Sequence, residues 1–127
     1  MSLAAAIRAS NLASEGRDWE EALSLVEGRD GATLGPAWDA TLTEARVRAL
    51  SGLGRRDEAR ALLEALGKRW PDQEEAQLPV LLGLAHIAHQ EGDLTAARAQ
   101  ATKARAQARD PGYQAMAQNL LDILARN

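Results

Sequence analysis

Apolar residues recur at intervals of three and four positions along most of the chain, which is the spacing of one face of an α-helix. The clearest stripe lies within residues 57–70 and consists of Ala59, Leu62, Leu63, Leu66 and Trp70. Segments with the same period occur along the rest of the chain. Together they predict an all-α fold of about seven helices, over residues 3–15, 18–27, 36–53, 57–70, 72–92, 94–109 and 113–125.

Prolines and acidic residues mark the expected helix ends. Pro36 fits the first position of the third helix, where its missing N–H costs nothing, and Pro71 ends the fourth. Asp72 and Glu75 have the spacing of a capping box for the fifth helix. Pro79 follows seven residues after Asp72 and removes a hydrogen bond from a helix interior, so we expect a kink or a new helix start there.

A short motif occurs three times and indicates that the chain is a repeat. Each copy has a helix-ending glycine, then an aspartate that can cap the next helix, then an alanine that lets two helices approach closely. The alanines are 37 and 38 positions apart. The copies are Gly16, Asp18 and Ala22; Gly54, Asp57 and Ala59; and Gly92, Asp93 and Ala97.

The chain resembles the tetratricopeptide-repeat family. Residues 92–97, Gly-Asp-Leu-Thr-Ala-Ala, match the family's Gly-Asp-aromatic-x-x-Ala turn, residues 17–22 match it with the glycine displaced by one position, and Pro71 matches the closing proline. The resemblance implies one domain over residues 1–127, a right-handed α-solenoid of three antiparallel helix hairpins at about 2–30, 36–71 and 72–110, with a capping helix at about 112–126. Most copies lack the family's Leu-Gly pair and large aromatic, so no subfamily is implied.

In that family the first helix of each repeat lines a concave groove that holds a protein or peptide partner. The resemblance places eight groove residues here: Arg8, Asn11, Glu15, Glu44, Arg48, His86, His89 and Gln90. Only Asn11 matches the clamp that grips chaperone tails, so that partner is not predicted. We expect a binding module with no catalytic residues, no cofactor and no metal, with His86 and His89 as groove residues rather than zinc ligands.

Composition and charge make nucleic-acid binding and membrane insertion unexpected for this chain. The chain has no cysteine and a formal charge of −3, which gives no general attraction to nucleic acid. The basic cluster of Arg98, Lys103, Arg105 and Arg109 is interpreted as a solvated helix face. No membrane span or secretory signal is recognisable, so we expect a cytoplasmic protein. Phe is absent, which makes the three tryptophans the expected core or inter-helix anchors: Trp19, Trp38 and Trp70.

Other functions remain open at this stage. The chain could be a fragment of a larger transcriptional regulator or signalling ATPase whose repeats sense a ligand. It could instead be a self-associating scaffold that forms a homo-oligomer. Catalysis is the least favoured alternative, because no nucleophile, base and orienting group stand in a recognisable pattern.

Overall fold

The computed structural model describes residues 2–28 and 32–126, and this part of the chain is helical without any β-strand. The all-α prediction is therefore confirmed. Positions 29 and 30, which end the first expected repeat, lie outside the described residues. The described elements are α1 (Leu3–Glu15), α2 (Trp19–Val26), a 3₁₀ turn (Ala32–Leu34), α3 (Pro36–Gly52), α4 (Arg56–Arg69), α5 (Glu74–Gln90), α6 (Leu94–Gln107) and α7 (Pro111–Ala125).

Two of the three predicted aspartate caps are confirmed. The side chain of Asp18 accepts a hydrogen bond from the Glu21 amide at 3.2 Å, and Asp93 accepts one from the Ala96 amide at 3.0 Å. Each bond satisfies an amide that has no partner within its helix. Asp57 is not a cap, because α4 already begins at Arg56 and Asp57 lies inside the helix. Its carboxylate instead pairs with Arg60.

The glycines that precede α4 and α6 also behave as expected. Gly54 has φ of 79° and Gly92 has φ of 80°, a left-handed conformation that glycine adopts without steric cost. In the first copy of the motif the glycine stands one position early. Arg17 consequently takes the left-handed conformation with φ of 64°, whereas Gly16 is right-handed.

The prediction of a new helix start at Pro79 is wrong. A single helix runs through Pro79, which lies on the buried side of α5. The capping box at Asp72 is also wrong, since the residue before the helix is Gln73 and its side chain makes no capping bond. Glu74 has another role: its carboxylate accepts hydrogen bonds from the amides of Arg109 at 2.7 Å and Asp110 at 3.3 Å. This contact joins the start of α5 to the start of α7.

Ion pairs define the relative directions of neighbouring helices. Asp39 near the start of α3 binds Arg69 at the end of α4, and Arg60 near the start of α4 binds Glu91 just after α5. The helices α3, α4 and α5 therefore alternate in direction, so α3 and α5 run the same way. Contacts also join alternate helices, α1 with α3, α3 with α5 and α5 with α7.

The core lies between these helices and includes the three motif alanines. Ala22, Ala59 and Ala97 have no exposed surface, as expected of residues at helix contacts. The tryptophans divide: Trp19 and Trp70 are half-buried, whereas Trp38 is 43% exposed, so the core prediction for Trp38 is wrong. It lies in the first turn of α3, next to the buried residues Asp39 and Ala40.

One buried carboxylate links α3 to the end of α4. Asp39 is 2% exposed and accepts bonds from Arg69 Nε at 2.8 Å, Arg69 NH2 at 3.1 Å and Trp70 Nε1 at 2.8 Å. It also stands in the first turn of α3, where the helix dipole favours a negative charge. Sequence periodicity gave no sign of this network, because Asp39 is a polar residue at a core position.

The helices of the described part of the chain are too short or too polar to cross a bilayer.

Candidate binding site

A cavity of about 490 Å³ lies where α3 and α5 meet the start of α7. Its lining combines a largely apolar interior with polar side chains from α3 and α5. Apolar residues and glycines that line it are Trp19, Val47, Gly52, Leu63, Pro79, Leu82, Gly83, Ile87, Tyr113 and Met116. Polar residues that line it are Glu44, Arg48, Ser51, His86 and Gln90.

Two glycines give side chains from neighbouring helices access to this cavity. A Cβ at Gly52 would clash with Cδ2 of Trp19, and a Cβ at Gly83 would stand 2.8 Å from Cδ1 of Leu63. Carbon atoms that are not bonded normally stay about 3.5 Å apart or more. Only glycine at these places lets Trp19 of α2 and Leu63 of α4 pack against α3 and α5 and form part of the cavity wall.

Glu44 is the acidic group of the cavity. Its side chain still reaches solvent, but the surrounding protein displaces much of its water, and this burial raises the pKa of the carboxyl group. Arg48, one helical turn further along α3, lowers that pKa by a smaller amount. Within the described residues no donor makes a hydrogen bond to the Glu44 carboxylate.

Arg48 is the basic group of the cavity, and α1 holds it in place. Its guanidinium donates a hydrogen bond to Oδ1 of Asn11. Asn11 is neutral, so this bond orients the guanidinium without cancelling its charge.

His86 and Tyr113 complete the titratable groups of the cavity. Burial lowers the pKa of His86, and the charge of His89 lowers it further, so the imidazole is predominantly neutral at pH 7. Burial raises the pKa of Tyr113, with additional contributions from the carboxylates of Glu44, Glu75, Glu74 and Asp110. The phenol therefore stays protonated and stands among acidic groups.

The structure brings together half of the eight groove residues that the sequence predicted. Glu44, Arg48, His86 and Gln90 line the cavity. Asn11 contacts it through Arg48, and His89 acts on it electrostatically through His86. The two remaining residues, Arg8 and Glu15, are exposed on α1 away from the cavity lining.

Sequence reasoning missed the aromatic and glycine components of the site. Tyr113 and Met116 were expected to cover the last repeat, yet both line the cavity, and Met116 is 54% exposed. Trp19 was expected only to anchor helices. A glycine that ends α3 directly after Ser51 was the available signal, since glycine at the end of a helix can mark a close approach by another side chain.

Across residues 2–28 and 32–126, no three side chains of His, Asp or Glu are placed to hold a metal ion together. Comparisons of the chain with protein-family models, with curated proteins and with solved structures gave no significant match.

Proposed function

We propose that this chain is a tetratricopeptide-like scaffold of three stacked helix hairpins with α7 as the cap, and that it binds a segment of a partner protein. The stacked arrangement is supported by the alternating directions of α3, α4 and α5 and by the contacts between alternate helices. The three fully buried motif alanines support the same repeat register. The domain acts by binding rather than by catalysis.

The observation that carries this proposal is the cavity between α3, α5 and α7. Apolar residues in its interior can bury a large side chain of the partner, while Glu44, Arg48 and Gln90 can fix the orientation of that partner by hydrogen bonds. Binding surfaces of helical repeat proteins are built in this way, from side chains on successive parallel helices.

A pull-down from the source lysate tests the proposal. The variant combines Arg48→Ala and His86→Ala, two surface changes that leave the core intact and are expected to lower the free energy of unfolding by no more than about 1 kcal/mol. Capture of partner proteins should fall strongly. The matched control combines Lys103→Ala and Arg109→Ala, which remove two exposed basic side chains outside the cavity, and should capture as the wild type does.

The proposal would be wrong if the folded cavity variant recovered the same partners in the same amounts as the wild type. Circular dichroism of both variants establishes that they are folded. If only the control variant lost capture, the binding surface would be the basic face of α6.

A second candidate function is the sensing of a small ligand as part of a larger regulator. The cavity volume of about 490 Å³ favours it, because ligand pockets in proteins commonly measure about 300–1,000 Å³. A thermal-shift screen with a metabolite panel tests this function. A rise in melting temperature that is lost in the Arg48→Ala and His86→Ala variant would support a small ligand over a peptide.

A further inference from the structure

The ionised carboxylate of Glu44 would be stabilised by a cation bound next to it. It lines the cavity while still reaching solvent, the surrounding protein raises the pKa of its carboxyl group, and no donor in the described part of the chain bonds to it. A carboxylate in this state is less stable than one in water or one with a bound donor. An ammonium or guanidinium group placed against it would supply both the charge and the hydrogen bonds.

The surroundings of Tyr113 are acidic as well. The carboxylates of Glu44, Glu75, Glu74 and Asp110 all act on this side chain, and they come from α3, α5 and the start of α7. The protonated Tyr113 ring lines the same cavity and offers an aromatic face to a cation. This end of the cavity therefore selects against an acidic group and favours a basic one.

The opposite preference holds further along α3. Arg48 lies four residues after Glu44, which corresponds to about 6 Å along the helix axis, and Asn11 fixes its guanidinium. The same cavity has apolar walls, formed in part by Leu82 and Met116. Arg48 repels a ligand cation and Glu44 attracts it, so the cation favours the side of the cavity where Glu44 acts on Tyr113.

We infer that the cavity binds a partner segment that presents an arginine or lysine side chain next to a large apolar one, with the cation held by Glu44 and Tyr113. The apolar neighbour occupies the interior beside Leu82 and Met116. This inference rests on the proposed function, because it names the chemistry of the segment that the scaffold binds. Charge complementarity selects a basic peptide over an acidic one and over a second copy of this acidic chain.

Panning a phage library of random peptides tests the inference. The wild type, Glu44→Gln and the control Glu64→Gln are used in parallel; Glu64 is an exposed residue of α4 outside the cavity, so the control makes the same chemical change elsewhere. Peptides selected by the wild type and by Glu64→Gln should be enriched in Arg or Lys beside Leu, Ile, Met or Phe. Peptides selected by Glu44→Gln should lose the basic enrichment.

The affinity of one selected peptide gives the quantitative test. Glu44→Gln should weaken its binding about tenfold, and replacing its basic residue by Gln should weaken binding to the wild type by a similar factor. The two changes together should cost little more than either alone, because both remove one interaction. Equal affinity for wild type and Glu44→Gln, or selected peptides without basic enrichment, would overturn the inference and leave peptide binding standing.

If the wild type selects no peptide, the proposed function is overturned, and a small cation decides whether the subsite exists. Benzamidinium is titrated into isotope-labelled protein, and NMR shifts are followed at Glu44 and Tyr113. Shifts in the wild type that disappear in Glu44→Gln would support a cation subsite without peptide binding. An absence of shifts in the wild type would overturn the inference as well.

Discussion

Replacing Asp39 by Ala should destabilise the protein more than any comparable change at an exposed acid. The carboxylate is almost completely buried and accepts three hydrogen bonds from Arg69 and Trp70. A hydrogen bond to a charged group is worth about 1.5–3 kcal/mol, which gives an upper sum well above the measured cost of most substitutions. Arg69 is 41% exposed and can regain water when its partner is lost, so the full sum does not apply. We expect a loss of about 2–4 kcal/mol.

Urea denaturation followed by far-ultraviolet circular dichroism measures this loss. The matched control is Asp57→Ala, which also removes an aspartate from a helix start and breaks an ion pair, with Arg60. Its side chain is 97% exposed, so we expect a cost of at most about 1 kcal/mol. Equal losses for Asp39→Ala and Asp57→Ala would refute the reasoning from burial.

Two further variants assign the energy within the Asp39 network. A double-mutant cycle of Asp39→Ala with Arg69→Ala should give a coupling energy of about 1–2 kcal/mol. Trp70→Phe keeps an aromatic ring but removes the Nε1 donor, and should cost about 1 kcal/mol in the wild type and much less once Asp39 is Ala. Additive effects in both cycles would mean that Asp39 stabilises the fold in some other way.

Two other predictions concern the repeat motif, and both use the same denaturation assay. Leu at Ala59 or Ala97 should overpack a fully buried contact and lower the free energy of unfolding by about 1–3 kcal/mol. Leu at the half-buried Gln100 should lower it by less than about 0.5 kcal/mol. Similar losses at all three positions would contradict the repeat register. Arg17→Gly should stabilise the protein by up to about 1 kcal/mol, because Arg17 has a left-handed conformation with φ of 64° that glycine adopts without strain. Gly54→Ala should destabilise the protein by about 1–2 kcal/mol for the converse reason. The opposite order of stabilities would contradict this backbone argument.

The helices could be predicted from the sequence because their signals are local. The apolar period, the aspartates before α2 and α6 and the glycines before α4 and α6 each act within a few residues of their own position. The motif gave a wrong prediction at two positions. Arg17 takes the left-handed conformation without a glycine, and α4 begins without a side-chain cap.

The continuous course of α5 could not be predicted from local rules, because packing compensates for the cost of its proline. Pro79 removes one hydrogen bond, yet nine residues of this helix are buried against its neighbours. Proline in a helix interior costs about 3 kcal/mol, and burying one large apolar side chain contributes about 1.5–3 kcal/mol. Leu78, Leu81 and Leu82 alone are sufficient to offset that cost.

The candidate site was only partly predictable from the sequence. Its shape depends on two glycines, whose missing side chains leave room for residues of other helices. The repeat register predicted from the sequence singled out Glu44, Arg48, His86 and Gln90 on α3 and α5, and all four line the cavity. Cavity walls made by Trp19 and Leu63 depend on Gly52 and Gly83, and nothing in the spacing of apolar residues indicates which side chain fills the space beside a glycine.

The partial burial of Glu44 links the stability of the free protein to the function proposed for it. A carboxyl group whose pKa is higher in the folded state than in the unfolded state destabilises the fold while it is ionised, and that penalty disappears as pH falls below the unfolded value. Under the proposed function, a basic group of the partner would contact this carboxylate and offset the penalty that its ionisation imposes on the free protein.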